Sequence, residues 1–209
     1  MPALLKHWGQ TDITVGFGPY PKSVGAQHAT MTLEAYVRNV TEFDRHYTDT
    51  LGVDLAEQEV PLYAFLSNFF TGGEVKDDPV MRDTAANLGV AHKEVLAAFL
   101  VQSIQLYIGP RGSGAGVHYH MDALNLMATG KKHWYLFPPA HARYTAKPAA
   151  AWRQEQTRMD EALQNNRSAR VPRFECVQHT GDVLFVPEMW GHATHNEAFS
   201  VGVALEMIM

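Results

Sequence analysis

The feature that most limits what this chain can fold into is a change of hydrophobic period near residue 104. Ile104, Leu106 and Ile108 alternate with Gln105 and Tyr107, and the run stops at Gly109-Pro110. Three further strand-like runs follow at residues 117–121, 124–128 and 132–137, the last closed by Pro138-Pro139. Strand signal returns at 174–178, 182–186 and 199–205, with a turn at Gly181-Asp182 and a stop at Pro187. Many short strands joined by turns predict a sandwich or barrel. No repeat, heptad or low-complexity tract competes with that reading.

The segments around these strands carry a different period. Leu33, Tyr36, Val37 and Val40 recur at helical spacing after Thr32, which stands in N-cap position. A turn-rich stretch, Gly16-Phe17-Gly18-Pro19-Tyr20-Pro21, precedes them. A second helical stretch is expected over about 92–101, where Val95, Leu96, Phe99 and Leu100 are apolar. Between the fourth and fifth strand-like runs the strand signal vanishes, and a charged, glutamine-rich helix is expected over 152–165. The expectation is one domain, 1–209, that is mainly β with flanking and inserted α-helices. A largely helical lead-in spans 1–102, and the barrel core spans 103–209 with a helical insertion at about 140–173.

Bulk properties exclude several classes. The chain has 209 residues, 46% hydrophobic and 19% charged, with a formal net charge of −5. A mildly acidic chain lacks the basic footprint of a nucleic-acid binder. No apolar run approaches the roughly 20 residues of a membrane span, and the N-terminal residues do not read as a signal peptide. A single cysteine, Cys176, allows no internal disulfide. A cytoplasmic location is the expectation, with the nucleus also open.

Histidine is the compositional outlier, with 11 copies. His118 and His120 stand two apart in a strand-like run, so their side chains project to one face. Asp122 continues the row near the turn. Much later, Trp190-Gly191-His192 follows a strand and the bend forced by Pro187. Imidazole is the commonest protein metal ligand, and three ligands with open positions define a catalytic rather than a structural site. A His-x-His pair by itself is a weak motif. Its surroundings make it specific.

Those surroundings resemble a known family. Leu106-Tyr107-Ile108-Gly109-Pro110-Arg111-Gly112-Ser113-Gly114-Ala115-Gly116-Val117-His118 is similar to the strand and glycine-rich approach to the metal histidine in Jumonji-C (JmjC) hydroxylases of the cupin superfamily. Asn125 and then Gly130-Lys131-Lys132-His133-Trp134-Tyr135-Leu136-Phe137-Pro138-Pro139 resemble the next two strands. Gly181-Asp182-Val183-Leu184-Phe185-Val186-Pro187 with Trp190, His192 and Asn196 resembles the distal-histidine segment. The likeness covers about 106–205 and extends more faintly to 32–40 and the Pro61-Leu62-Tyr63 region.

The resemblance implies a double-stranded β-helix that binds Fe(II) and uses 2-oxoglutarate and O₂ to hydroxylate or demethylate a substrate. It assigns His118 as first ligand and His192 as distal ligand. It assigns Lys132 to the distal carboxylate of 2-oxoglutarate, with Asn125 lining the same pocket. The family's second ligand is an acid, and here that position is His120. Asp122 is the rival if the register shifts by two. His118 lies fourteen residues before Lys132, close to the family separation, and this favours His118 and His120. Three imidazoles would leave iron with a charge of +2 instead of +1, which puts ordinary 2-oxoglutarate turnover in doubt. Ala115 stands where the family often has a threonine that bonds 2-oxoglutarate. Ala204 and Glu206 stand where polar, carboxylate-friendly residues are expected.

Other motifs yield less. Gly112-Ser113-Gly114-Ala115-Gly116 lacks the spacing of a phosphate loop and leads into a strand. His133 alternates away from Lys132, and only one of Trp134 and Tyr135 faces inward. His179 and His195 are expected outside the ligand set, Trp190 to fix a bend, and Cys176 to act as a small apolar residue. The leading expectation is therefore an Fe(II)- and 2-oxoglutarate-dependent oxygenase acting on a protein side chain or a small molecule. The alternatives are a catalytically silent metal-binding module and a three-histidine cupin dioxygenase that does not use 2-oxoglutarate. Such hydroxylases often dimerise, so a homodimer belongs to the same expectation.

Overall fold

A computed structural model of the protein describes residues 1–19, 28–49, 62–67, 69, 100–162 and 171–208. The chain opens with helix α1 (Pro2–Trp8), strands β1 (Asp12–Gly16) and β2 (His28–Thr32), helix α2 (Leu33–Asp49) and strand β3 (Tyr63–Ser67). Eight strands follow: β4 (Leu100–Gly109), β5 (Gly114–His118), β6 (Asp122–Thr129), β7 (Lys131–Phe137), β8 (Phe174–His179), β9 (Val183–Val186), β10 (Gly191–Asn196) and β11 (Ser200–Ile208). Helix α3 (Ala149–Ala162) is inserted between β7 and β8.

The eleven strands of the described residues divide between two sheets. One sheet has the order β2-β1-β3-β4-β11-β6-β9, and the other β5-β10-β7-β8. Every pairing is antiparallel. From β4 onward the chain passes repeatedly from one sheet to the other, which winds a double-stranded β-helix. The expected mainly β barrel is therefore present.

Side-chain alternation decides what each face buries. On the larger sheet Leu106 and Ile108 face outward with Ile13, Val15 and Ala64, and meet Leu33, Tyr36, Val37 and Val40 of α2. The helix starts where Thr32 Oγ1 accepts the amide of Ala35, as an N-cap should. Tyr107 faces inward and clusters with Tyr63 and Met127. Its hydroxyl passes directly over Gly202 of β11, where any Cβ would collide with it. On the smaller sheet Val117, Tyr135, Phe137 and Ala193 face outward and receive Trp152 of α3.

Two expectations are corrected. The helix expected over 92–101 does not hold at its end, because Leu100 and Val101 belong to β4 and pair with Ile208 and Met207. Residues 92–99, Pro61 and the 163–165 end of the insertion helix lie outside the described residues. The lead-in is not only helical, since β1, β2 and β3 extend the larger sheet. Strand β10 bears His192, and no apolar pattern marks its bounds. Its sequence, Gly-His-Ala-Thr-His-Asn, has no apolar alternation, yet all six residues are buried. Both of its faces are covered, one by the barrel interior and one by α3.

One hydroxyl ties the lead-in to the barrel. Tyr36 Oη lies 2.8 Å from Ile108 O and 2.9 Å from Leu62 O, and accepts the Ala64 amide at 3.1 Å. Removing it strands buried backbone groups, so Tyr36→Phe should lower stability by about 1–3 kcal/mol. An unchanged midpoint in urea unfolding would contradict this.

Candidate metal centre

Three histidines meet at one end of the barrel. His118 is the last residue of β5 and His192 the second of β10, and they are register partners across the two strands. Their rings lie 4.3 Å apart, centroid to centroid. The His120 ring lies 5.5 Å from that of His118 and 4.6 Å from that of His192. One ring nitrogen from each histidine lies within 4.8 Å of the others. The expectation that His118 and His120 share a strand is corrected. The strand ends at His118, and His120 lies in the connection to β6. Its carbonyl accepts the Met189 amide at 3.0 Å, so the connection bends toward the β9–β10 turn.

The backbone sets all three tautomers. His118 Nδ1 lies 2.9 Å from Gly116 O, His120 Nδ1 2.7 Å from Met121 O, and His192 Nδ1 3.0 Å from Trp190 O. A carbonyl only accepts, so each Nδ1 carries the proton. Each Nε2 is left with a lone pair for a metal, the usual arrangement for ligating histidine. Burial, reinforced by its neighbour His120, lowers the His118 pKa to about 4. Burial also holds His192 well below the ordinary histidine range. Neutral imidazole is the form that ligates.

Asp122 does not join this group. Its Oδ1 accepts the Glu188 amide at 2.8 Å. The β9–β10 turn is thus pinned twice to the His120 region, through Asp122 and through the His120 carbonyl. Met189 in this turn has φ 61°, a left-handed conformation that costs a non-glycine residue energy and persists only when its surroundings enforce it. The geometry makes Asp122 a brace for the turn that leads into His192.

Deeper in the barrel lies a cavity of about 30 Å³, lined by the three histidines, Lys132, Asn125, Trp134 and Thr194 among others. Lys132 is 1% exposed. Its Nζ sits 3.3 Å from the centroid of the Tyr107 ring. No carboxylate pairs with it among the described residues, and burial holds its pKa well below the usual lysine value. A cation stacked on a ring and otherwise uncompensated suits an incoming carboxylate. Asn125 lines the cavity, but its Oδ1 already accepts from the Tyr107 hydroxyl at 2.9 Å.

The remaining expected residues sort by strand alternation. Trp134 faces inward, whereas Tyr135 packs outward on Trp152. His133 faces outward between Glu175 and Glu197. His179 is exposed, Cys176 is half-buried, and Trp190 stacks near Phe174. Ala115 and Ala204 line the cavity, and Glu206 does not. Sequence reasoning missed Thr194, Tyr63 and Gln105, which also line it. Thr194 was within reach, since a residue two after His192 on a strand shares its face. Chemically, three neutral nitrogen donors beside a buried cation can hold a divalent metal with open positions next to a bound carboxylate.

This geometry separates the two candidate second ligands. His120→Ala should weaken divalent-metal binding more than about 100-fold, beyond the 10–100-fold typical of an outer-shell change. Asp122→Ala should retain one metal per chain while lowering stability. Metal titration followed by calorimetry reads both, and metal lost only in Asp122→Ala would reverse the assignment.

With the site described, the likeness to known proteins can be placed. The cupin-like domain family matches residues 20–205. The arginine-specific demethylase JMJ22 of Arabidopsis thaliana is 27% identical over 215 residues, covering 97% of this chain and 38% of that protein. The bifunctional arginine demethylase and lysyl-hydroxylase psr-1 of Caenorhabditis elegans is 31% identical over 110 residues, covering 46% of this chain and 27% of its own. The tRNA wybutosine-synthesizing protein 5 of Homo sapiens is 36% identical over 89 residues, covering 41% of this chain and 28% of its own. The chain thus spans well under half the length of these relatives. No helix among the described residues is long and apolar enough to cross a membrane. The barrel and its extended match show that this chain belongs to the cupin-like domain family, as a JmjC-type member.

Proposed function

We propose that this protein is an Fe(II)- and 2-oxoglutarate-dependent oxygenase of the hydroxylase or demethylase type, acting on a protein side chain. The observation that carries this reading is the pairing of two features in one cavity. Three histidines offer free Nε2 lone pairs, and Lys132 lies beside them with no carboxylate paired to it among the described residues. A purely structural metal site has no use for a buried ammonium. The protein substrate is supported by two relatives whose names describe arginine demethylation and lysyl hydroxylation.

When bound, iron and 2-oxoglutarate supply the O₂-dependent oxidation, with 2-oxoglutarate leaving as succinate and CO₂. The chain's residues bind and orient. His118, His120 and His192 hold the metal through Nε2, and the Gly116, Met121 and Trp190 carbonyls keep their rings from turning. Lys132 anchors the distal carboxylate through charge-assisted hydrogen bonds, and the Tyr107 face holds its ammonium in place. Thr194 compensates for Ala115. Its Oγ1 accepts the Ala115 amide at 3.1 Å, which leaves its own proton to donate into the cavity.

His120 favours a second reading, in which the metal is kept without 2-oxoglutarate turnover. Three neutral ligands leave the iron at +2, and this opposes its oxidation. Anaerobic addition of Fe(II) and 2-oxoglutarate separates the two. The first reading predicts a weak visible charge-transfer band, succinate on admission of air, and at least about ten-fold weaker 2-oxoglutarate binding in Lys132→Ala with iron retained. No band and no succinate would establish the second.

A further inference from the structure

A second and larger cavity lies outside the barrel. It has a volume of about 830 Å³ and sits between α3 and the turn that opens β5. Helix α3 lines it with Arg153, Thr157, Arg158 and Glu161, residues spaced on one helical stripe. The opposite stripe carries the buried Ala149 and Trp152, so packing of Trp152 on the sheet turns the polar stripe toward the cavity.

The charge of this cavity is unlike that of the chain. Four of its lining side chains are cationic, Arg111, Lys131, Arg153 and Arg158, against two carboxylates, Glu161 and Glu197, in a chain of net charge −5. Glu197 is already engaged, by Lys131 Nζ at 2.8 Å and by His133 Nδ1 at 3.3 Å. Arg153 instead rests on neutral groups. Its Nη1 lies 3.3 Å from both ring nitrogens of His195, and its charge acts on the Tyr135 hydroxyl. Burial first, and Arg153 next, push the His195 pKa down to about 3, so its ring carries no charge. Among the described residues neither Arg153 nor Arg158 forms an ion pair. A guanidinium set against a neutral imidazole and partly withdrawn from water suits an incoming oxyanion.

We propose that this cavity binds a small molecule through a multiply charged oxyanion, a phosphate group first of all, held by Arg153 and Arg158. The site is separate from the barrel interior. Strand β10 points Thr194 into the barrel and His195 into this cavity, so the two sites share a strand and no ligand-facing side chain.

The test is calorimetric titration of the full chain at low salt with pyrophosphate, adenosine 5′-monophosphate and citrate as separate probes. Saturable single-site binding of at least one probe is expected. Arg153→Gln and Arg158→Gln should each weaken it about ten-fold or more, and Lys132→Ala should leave it unchanged. Preference for the phosphate probes over citrate identifies phosphate as the group bound, and the reverse identifies a polycarboxylate. Because Arg153 braces α3, circular dichroism accompanies each variant, and Arg158→Gln decides if Arg153→Gln does not fold. No saturation by any probe below about 10 mM, a weaker threshold than any ligand site of use, would overturn the proposal. So would binding that survives Arg158→Gln and disappears in Lys132→Ala.

Discussion

The structure depends most on the pairing of β10 with β5 on one side and β7 on the other. This six-residue strand is polar in sequence and buried throughout. Its backbone is satisfied by both neighbours, which is why histidine, threonine and asparagine can be buried there at acceptable cost. The pairing sets His192 opposite His118 and Thr194 beside Ala115. At the far end of β10, Asn196 closes the glycine-rich turn. Its side-chain amide donates to Ser113 Oγ at 2.9 Å, its carbonyl accepts the Gly112 amide, and its own amide donates to Ser113 O. A strand held at both ends and along both edges delivers its inward side chains to fixed positions, which a metal site requires.

Charge organises the interior around that strand. Burial keeps His118 and His192 neutral at the mouth beside His120, and behind them Lys132, with no carboxylate paired to it among the described residues, stands on the Tyr107 ring. The usual carboxylate ligand of such a site would partly neutralise a divalent metal, and His120 does not. A divalent metal held there would keep its full charge, and that would strengthen attraction for an anionic ligand in a low-dielectric cavity. Asp122, the one carboxylate nearby in sequence, is held by the Glu188 amide and spends its charge on the turn instead. The same logic gives the outer cavity its character, where Arg153 rests on neutral rings and Glu197 is consumed by Lys131.

Much of this was legible in the sequence. The period-two run at Ile104, Leu106 and Ile108 and the turn residues that follow predict the barrel strands, and Thr32 marks the start of α2 correctly. The spacing of His118 and His120 is a weak metal signal, and the resemblance to JmjC hydroxylases adds His192 and Lys132, which share one cavity with them. What was not legible was information carried by contact rather than by pattern. β10 has no apolar alternation, because its faces are filled by a site and by a helix, so no period announces it. The role of Asp122 depends on a backbone amide sixty-six residues away. The inward face of β4, with Gln105 and Tyr107, gains its meaning only when β11 places Gly202 beneath the Tyr107 ring.

On the reading proposed above, three backbone-oriented imidazoles, and no carboxylate, form the metal site. Long-range nitrogen–proton correlation spectra of the histidine side chains in the zinc-loaded protein read ligation and tautomer together. Three ligating imidazoles are expected, from His118, His120 and His192, each with a protonated Nδ1 and a metal-shifted Nε2. Two shifted imidazoles, or ligation through any Nδ1, would contradict it.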